Sequence, residues 1–484
     1  MRLPLDRQSE VPLYQQIEAF FRLAILAGQL PPKTRLPATR QLAHDLGLNR
    51  LTVDNAYAEL EADGLIDTRP GSGAYVLPVT APPLLSAKES AGPWPLWQQA
   101  LCPSAAPPPV SKPGTRSVIA FESGAGDPDL FPANEIRRTL QAVLRRDGLA
   151  AWDYGDQRGY APLRENIAEV MASQGLAIRP DNVLITAGSQ QALALVTQVL
   201  LKPGETVVVE SPTYAGALDL FRMHGLKLIG APVDEHGLDM DKLEPLLQQH
   251  HPHLLYTIPN FQNPTGTCLS GARRRQLLAL AERYNVPILE DDFVGDLRYD
   301  GHAQPTLKAL DSGGRVIYVS TFSKMLMPGL RVGFLVAEGP VYDCLVDAKR
   351  VTDLVTSNLN QRALEAYMTV GRYQAHLRRS CRLYRQRRDA MLGAIERHLP
   401  AGVQVVPPQG GLFVWLRLPG GASATRLLPA AARAGVTFAP GPSFFPEAAG
   451  DNYLRLNFAV QPPEAIEEGL RRLGKVLGSY SSSP

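Results

Sequence analysis

The sequence predicts a two-part α/β protein: a small helical module ending in a β-hairpin, then a large domain built on a mostly parallel sheet. Three observations predict it. Short amphipathic helices, stopped at Gly28 and Gly47, lead into a strand–turn–strand pattern before Pro78. Ten prolines then crowd the stretch from Pro78 to Pro113. From Asn182 onward, short apolar strands alternate with amphipathic helices, and such alternation packs a parallel sheet between helical layers.

The 484 residues, 45% apolar and 20% charged, leave room for two or three domains. A formal net charge of +2 is uninformative about partners. Cys102, Cys268, Cys344 and Cys381 lie far apart with no C-x-x-C spacing. That argues against a zinc site or a disulfide framework and fits a reducing cytosol. Met1–Glu10 carries charge and no apolar core, and no apolar run approaches the ~18 residues that span a bilayer. A cytoplasmic protein without membrane contact is the expectation.

Within residues 1–78, Pro12–Ala27 reads as a helix ended by Gly28. A second helix carries Leu42, Ala43 and Leu46 on one face and stops at Gly47. A third opens at Asn49, a good N-cap residue, with Val53, Ala56, Tyr57 and Leu60 at i, i+3, i+4, i+7 spacing. Two short helices joined by a glycine turn form a helix-turn-helix. Leu65–Arg69 and Ala74–Leu77 flank Pro70-Gly71-Ser72-Gly73, a hairpin signal, so the unit is a winged helix-turn-helix. The segment from Arg35 to Val76 is similar to the GntR-type winged helix over its whole length. The resemblance implies binding of double-stranded DNA, with the start of the third helix in the major groove and the wing beside it. Arg35, Arg40, Asn49, Arg50, Leu51, Thr52 and Gly71 then fall at positions that touch phosphates or bases. Leu51 departs from the small polar residue usual there: one reading is contact with a thymine methyl, the other a weaker base readout. The module holds 8 Lys and Arg against 9 Asp and Glu. That balance predicts weak binding by one copy, because the phosphate term grows with cationic contacts; a dimer engaging two half-sites compensates.

Residues 79–117 read as an extended, semi-rigid linker, able to span on the order of 100 Å at ~3.1 Å per residue. Trp94 and Trp97 are expected to anchor it where it docks on a domain.

Residues 118–484 form the second domain. Strands read at Val183–Thr186, Thr206–Val209, Lys227–Ala231, Leu254–Thr257, Val286–Leu289 and Val316–Val319. Ligands bind at the carboxyl ends of such strands, and unusual residues follow several of them. Thr186-Ala187-Gly188-Ser189-Gln190-Gln191 closes a strand and opens a helix, whose N-terminal N–H groups suit a phosphate. Many βα turns look like this one. A carboxylate in Glu290-Asp291-Asp292 suits a protonated ring nitrogen or a simple cap. Asn263-Pro264-Thr265-Gly266 is a turn after a third strand, which turn chemistry alone explains more often than function does. The strongest local signal is Ser320-Thr321-Phe322-Ser323-Lys324 with Arg331 beyond, a lysine amine flanked by hydroxyls near an arginine. Schiff-base chemistry with pyridoxal 5′-phosphate (PLP) needs that lysine and a counter-charge for the ring nitrogen.

The order A-G-S-Q-Q, S-P-T-Y, N-P-T-G, E-D-D-F, S-x-x-K…R resembles the fold type I, class I/II aminotransferases across about Val118–Leu477, with a small C-terminal α+β subdomain implied. By this resemblance Gly188, Ser189, Gln190, Thr321 and Arg331 hold the PLP phosphate, and Tyr214 stacks on the ring. Asn263 donates to the ring O3′, Asp291 pairs with the ring nitrogen, and Lys324 forms the Schiff base. Arg455 matches an arginine that grips a substrate α-carboxylate in a two-pronged ion pair. Phe293 stands where relatives usually place a tyrosine, a loss that shifts the Schiff-base pKa and blunts catalysis. Together the halves resemble the MocR/GabR family of bacterial regulators. That implies a head-to-tail homodimer and a transcription regulator that senses PLP or an amino compound at Lys324. The competing expectation is a working aminotransferase with a fused winged helix.

Overall fold

The computed structural model describes residues 3, 5–7, 9, 11–69, 72–78 and 118–481, and the chain divides into two compact units, Met1–Val110 and Ser111–Pro484. The expected linker, with Trp94, Trp97 and Cys102, lies outside the described residues, as does Gly71 at the wing tip.

In the smaller unit, α1 (Leu13–Leu26), α2 (Thr39–Leu46) and α3 (Arg50–Ala62) precede a hairpin of β1 (Ile66–Arg69) and β2 (Gly73–Val76). The apolar stripes read from the sequence make the core: Ile17, Phe21, Leu42, Val53, Tyr57 and Leu60 are buried together. Phe21 meets Tyr57 edge to face at 5.7 Å. Gly47 ends α2 at φ 63°, the left-handed conformation that glycine adopts without a Cβ penalty. The wing strands pair antiparallel from Ile66 opposite Val76 to Arg69 opposite Gly73.

The larger unit opens with β3 (Ile119–Ala120) and continues with β4 (Val183–Thr186), β5 (Thr206–Ser211), β6 (Lys227–Asp234), β7 (Gly237–Leu238), β8 (Leu254–Thr257), β9 (Ile288–Asp291), β10 (Val316–Thr321) and β11 (Gly333–Val336). From β4 to β11 they form one eight-stranded sheet in the order β4-β11-β10-β9-β8-β5-β6-β7. Strands β10, β9, β8, β5 and β6 run parallel. Strand β11 is antiparallel to both neighbours, so β4 runs the same way as β10. Every residue of β4, β8, β9 and β10 is buried, as expected where helices cover both faces of a sheet. The six strands read from the sequence are all present. Four end later than read, β5 at Ser211, β6 at Asp234, β9 at Asp291 and β10 at Thr321, because their last residues still pair with a neighbouring strand.

A smaller antiparallel sheet follows, ordered β12-β13-β16-β15, from β12 (Gln404–Val405), β13 (Phe413–Arg417), β15 (Ala439–Pro440) and β16 (Tyr453–Asn457). Its companion β14 (Val436–Thr437) pairs with β3, tying the start of the domain to the C-terminal subdomain. The architecture matters for the site because β4, β5, β8, β9 and β10 all end at one edge of the large sheet.

Candidate functional site

At that edge the separate motifs meet. Helix α4 (Ser189–Leu200) starts directly after Gly188. Gly188 sits at φ +95°, and a Cβ there would lie 2.8 Å from the Arg331 guanidinium; both conformation and space demand glycine. A Cβ on Gly333 would lie 2.8 Å from the Gly188 backbone, so two glycines let the β4 turn and the start of β11 approach closely. Arg331 donates to the Ala187 carbonyl at 2.7 Å and reaches the Ser323 hydroxyl at 3.5 Å. The turn at Gly188, Ser189 and Gln190, with Arg331 and Ser323, is a concave cluster of donors suited to a phosphate. Thr321 is buried and bonded to Ser323; its hydroxyl supports the cradle through that neighbour. Ser323 is a site residue whose signal was the hydroxyl directly before the lysine.

Lys324 extends toward the 124–126 loop: a Cβ on Gly124 would lie 3.9 Å from its Nζ. Among the described residues the amine makes no hydrogen bond or ion pair. Burial, then Arg455 and Arg331, pull its pKa below the ordinary lysine range, while Asp291 opposes them. A depressed pKa makes the amine a nucleophile nearer neutral pH.

Asp291 ends β9 at the floor of the site. Its Oδ2 accepts from the Tyr256 hydroxyl at 2.8 Å, while Oδ1 is buried with no partner among the described residues. Burial pushes this carboxyl up to about 7, and the Tyr256 hydrogen bond holds it down against that. An orphaned, desolvated carboxylate oxygen costs free energy unless something cationic meets it. Tyr214 donates to Gln190 at 3.3 Å, and Gln190 in turn donates to the Gly216 carbonyl at 3.0 Å. Tyr214 is thus latched to the phosphate turn.

Arg455 on β16 completes the wall. Its guanidinium lies over the rings of Phe413, at 4.1 Å, and Phe444, at 4.9 Å. It donates to Asn263 Oδ1 and to the Glu122 carbonyl, each at 2.8 Å. The Nε–H is buried with no partner among the described residues, and burial lowers the pKa to about 10. An arginine fork with a free donor edge fits a carboxylate. Since Asn263 Oδ1 is occupied by Arg455, its amide NH2 faces away from that bond and is left to donate. Phe293 is 7% exposed and stacks on Phe413, centroids 6.4 Å apart.

The orphaned Asp291 oxygen, the unpartnered Arg455 Nε–H and the donor cradle at Gly188 fit PLP: a phosphate, a protonatable ring nitrogen, and a carboxylate on its amine partner. The expected residues Gly188, Ser189, Gln190, Tyr214, Asn263, Asp291, Lys324, Arg331 and Arg455 are brought together. Sequence reading missed Tyr256, which carries no motif.

On the smaller unit, Asn49 caps α3, its side chain accepting from Leu51 N–H at 3.0 Å; its oxygen is committed to the cap. Arg50 pairs with Asp54 one turn on at 3.2 Å, and Leu51 is 64% exposed beside it. Arg40 is exposed and Thr52 half-buried. Arg35 lies against the wing, bridging to Tyr75 through the backbone; a Cβ on Gly73 would stand 3.0 Å from its Nε. Arg40 is thus on α2, Arg50, Leu51 and Thr52 open α3 after its cap Asn49, and Arg35 precedes α2 beside the wing, while Gly71 is outside the described residues.

Residues 13–76 match the model of the bacterial regulatory proteins of the gntR family, and residues 121–473 that of aminotransferase class I and II. YdfD of Bacillus subtilis, an uncharacterized HTH-type transcriptional regulator, is 33% identical over the full length of both chains. The probable rhizopine catabolism regulatory protein MocR of Rhizobium meliloti is 32% identical over 99% of this chain and 97% of that one. Among solved structures, LysN, the alpha-aminoadipate aminotransferase of Thermus thermophilus, complexed with N-(5′-phosphopyridoxyl)-L-leucine, superposes with a TM-score of 0.72 at 40% identity. The match covers 76% of this chain and 94% of LysN. Among the described residues no helix is long and apolar enough to cross a membrane. The chain therefore belongs to the MocR-type transcriptional regulators, in which a DNA-binding GntR helix-turn-helix precedes a class I and II aminotransferase domain of the kind that typically binds PLP.

Proposed function

We propose that the larger domain captures PLP at Lys324 and, through it, senses an amino compound that sets the DNA affinity of the winged helix. The observation that carries the reading is a set of groups without partners among the described residues: the buried Asp291 Oδ1 and Arg455 Nε–H, with the Lys324 amine held between the charges of Arg455, Arg331 and Asp291. PLP, when bound, supplies an aldehyde that joins primary amines and a ring that withdraws electrons from them. This chain's residues do the rest. Gly188, Ser189, Gln190, Ser323 and Arg331 hold the phosphate, and Thr321 steadies Ser323. Asp291 keeps a proton at the ring nitrogen, Asn263 donates to O3′, and Tyr214 covers the ring face. Arg455 orients an incoming amino acid by its carboxylate. Phe293 supplies no hydroxyl beside O3′, which favours capture over turnover.

Sensing requires that the ligand bind two domain arrangements with different free energy. A head-to-tail dimer, each winged helix lying against the partner's larger domain, provides such arrangements and presents two near-neutral modules to two half-sites. The setting is the cytoplasm. The competing reading, a working aminotransferase, draws on the 40% identity to LysN.

Titrating the PLP-loaded protein with a panel of amino acids, while following its visible absorbance and its DNA mobility shift, tests both. The sensor reading expects a ligand that changes the two signals together, and loss of the visible band in Lys324→Ala. Steady amino transfer at roughly 1–10³ s⁻¹, the range of ordinary enzymes, with no effect on DNA binding, would overturn it.

A further inference from the structure

The phosphate turn is held from behind by a part-buried polar chain that the proposed function does not use. Gln191 accepts from the Ala187 N–H through Oε1 at 2.7 Å. Its Nε2 donates to Asp353 Oδ2 at 2.8 Å. Asp353 Oδ1 accepts from Lys349 Nζ at 2.9 Å, and that lysine side chain is only 1% exposed. Ala187 is thus gripped at both ends, its N–H by Gln191 and its carbonyl by Arg331.

The chemistry of the chain fixes its polarity. A lysine offers only donors, so Asp353 must accept from it and, with its other oxygen, from an amide NH2. The Gln191 amide therefore cannot flip, and its oxygen must face Ala187. Asp353 is the last residue of α5 (Pro340–Asp353). Leu354 follows at φ 62°, ψ −68°, with Val355 N–H donating to the Asp353 carbonyl at 2.7 Å. That is a γ-turn of the rare, strained kind, and strain of this sort persists only where the surroundings over-determine it. Here the surroundings are the buried Lys349 and the Gln191 amide, both of which need Asp353 where it is.

We infer that Gln191 and Asp353 are positioning residues that hold the Ala187–Gly188 turn open to a phosphate and so set the preference for PLP over unphosphorylated pyridoxal. The inference rests on the PLP reading of the site. Gln191 withdraws the Ala187 N–H from the cradle and leaves those of Gly188, Ser189 and Gln190, at the start of α4, to face the ligand. Asp353 acts through Gln191 and touches no ligand.

The test compares PLP with pyridoxal, which carries the same aldehyde without the phosphate, by the visible band each forms with the full-length protein. Gln191→Met removes both hydrogen bonds of the amide and leaves the Lys349–Asp353 pair intact. It should weaken PLP about tenfold, the order of a lost buried hydrogen bond, and leave pyridoxal within about twofold, so the preference falls about tenfold. Asp353→Asn should move the preference the same way; if its unpaired Lys349 prevents folding, Gln191→Met alone decides. An unchanged preference in Gln191→Met, or an equal loss for both compounds, would overturn the positioning role and leave the PLP reading standing. Failure of the unaltered protein to form a band with either compound would overturn the PLP reading and this role with it.

Discussion

Tyr256 donates its hydroxyl to Asp291 Oδ2 at 2.8 Å, the one hydrogen bond that steadies this carboxylate among the described residues. Tyr256→Phe leaves both oxygens unmatched in a buried site and pushes the carboxyl further up, toward the neutral form. A neutral Asp291 no longer favours a protonated ring nitrogen, so PLP affinity should fall about tenfold, as for a hydrogen bond to a charged group. Spectral titration of the variant with PLP checks it; an unchanged affinity would show that the contact is packing only.

The same carboxyl makes stability depend on pH. Asp291 titrates near 7 when folded, against an ordinary aspartate value of 3.8. Between those values the folded state holds a proton the unfolded chain has lost. Its contribution is therefore full below about 4 and is lost as the pH rises through 7. Asp291→Asn should gain stability relative to the unaltered protein at pH 8 and little at pH 4, on the order of a few kcal/mol at about 1.4 kcal/mol per pH unit. Glu290, pushed up to about 7, and Glu210, to about 6, both by burial, keep some slope in the variant. Urea midpoints of the cofactor-free protein, followed by tryptophan fluorescence, measure it, since residues 1–78 contain no tryptophan.

Arg455→Lys keeps a charge and loses the planar fork between Phe413 and Phe444. Capture of PLP should change little. The response to amino acids should weaken about 10- to 100-fold, as when a charged hydrogen bond is lost. Amino acids compared with the corresponding decarboxylated amines give the readout: the variant should no longer distinguish them.

Arg50→Ala should cost about 1–3 kcal/mol of DNA binding, or reduce the salt slope by about one if its contact is a phosphate. The visible band should be untouched. A mobility shift unchanged from the unaltered protein would move the recognition surface off the start of α3.

Phe293→Tyr restores a hydroxyl on a ring that packs on Phe413. The pH at which the visible band titrates should move, with PLP affinity within a few-fold. Unchanged titration would mean that the hydroxyl does not reach the ligand.

Much of this was legible in the sequence because each motif sits where a strand stops. Gly188, Asn263, Asp291 and Lys324 are polar or conformationally special residues at the ends of apolar strands or in the turns that follow them, and parallel topology brings such points together. The helices of the winged module were equally legible, because glycine stops and a 3.6-residue apolar period are local signals. Tyr256 was not: inside Leu-Leu-Tyr-Thr it looks like core filling, and only the parallel β8–β9 pairing sets it beside Asp291. Strand β11 also escaped notice, since Gly333–Val336 returns antiparallel between β4 and β10 and only one turn of 3-10 helix, Pro328–Leu330, precedes it. Gln191 and Asp353 are 162 residues apart, beyond any periodicity. Asn49 shows the opposite case, a residue that the family resemblance places at DNA and whose side-chain oxygen is taken by the cap.

That reversed strand has a consequence for how the domain can change. Because β11 turns back beside β10, Lys324 and Arg331 ride on a single connection between paired strands, Thr321 opposite Gly333. The amine and the phosphate grip are one mechanical part. Phe293 hangs from β9, a separate support. Under the proposed reading, a change on the second support alters the chemistry available to a bound ligand while the first, which carries both the amine and the phosphate grip, keeps its geometry.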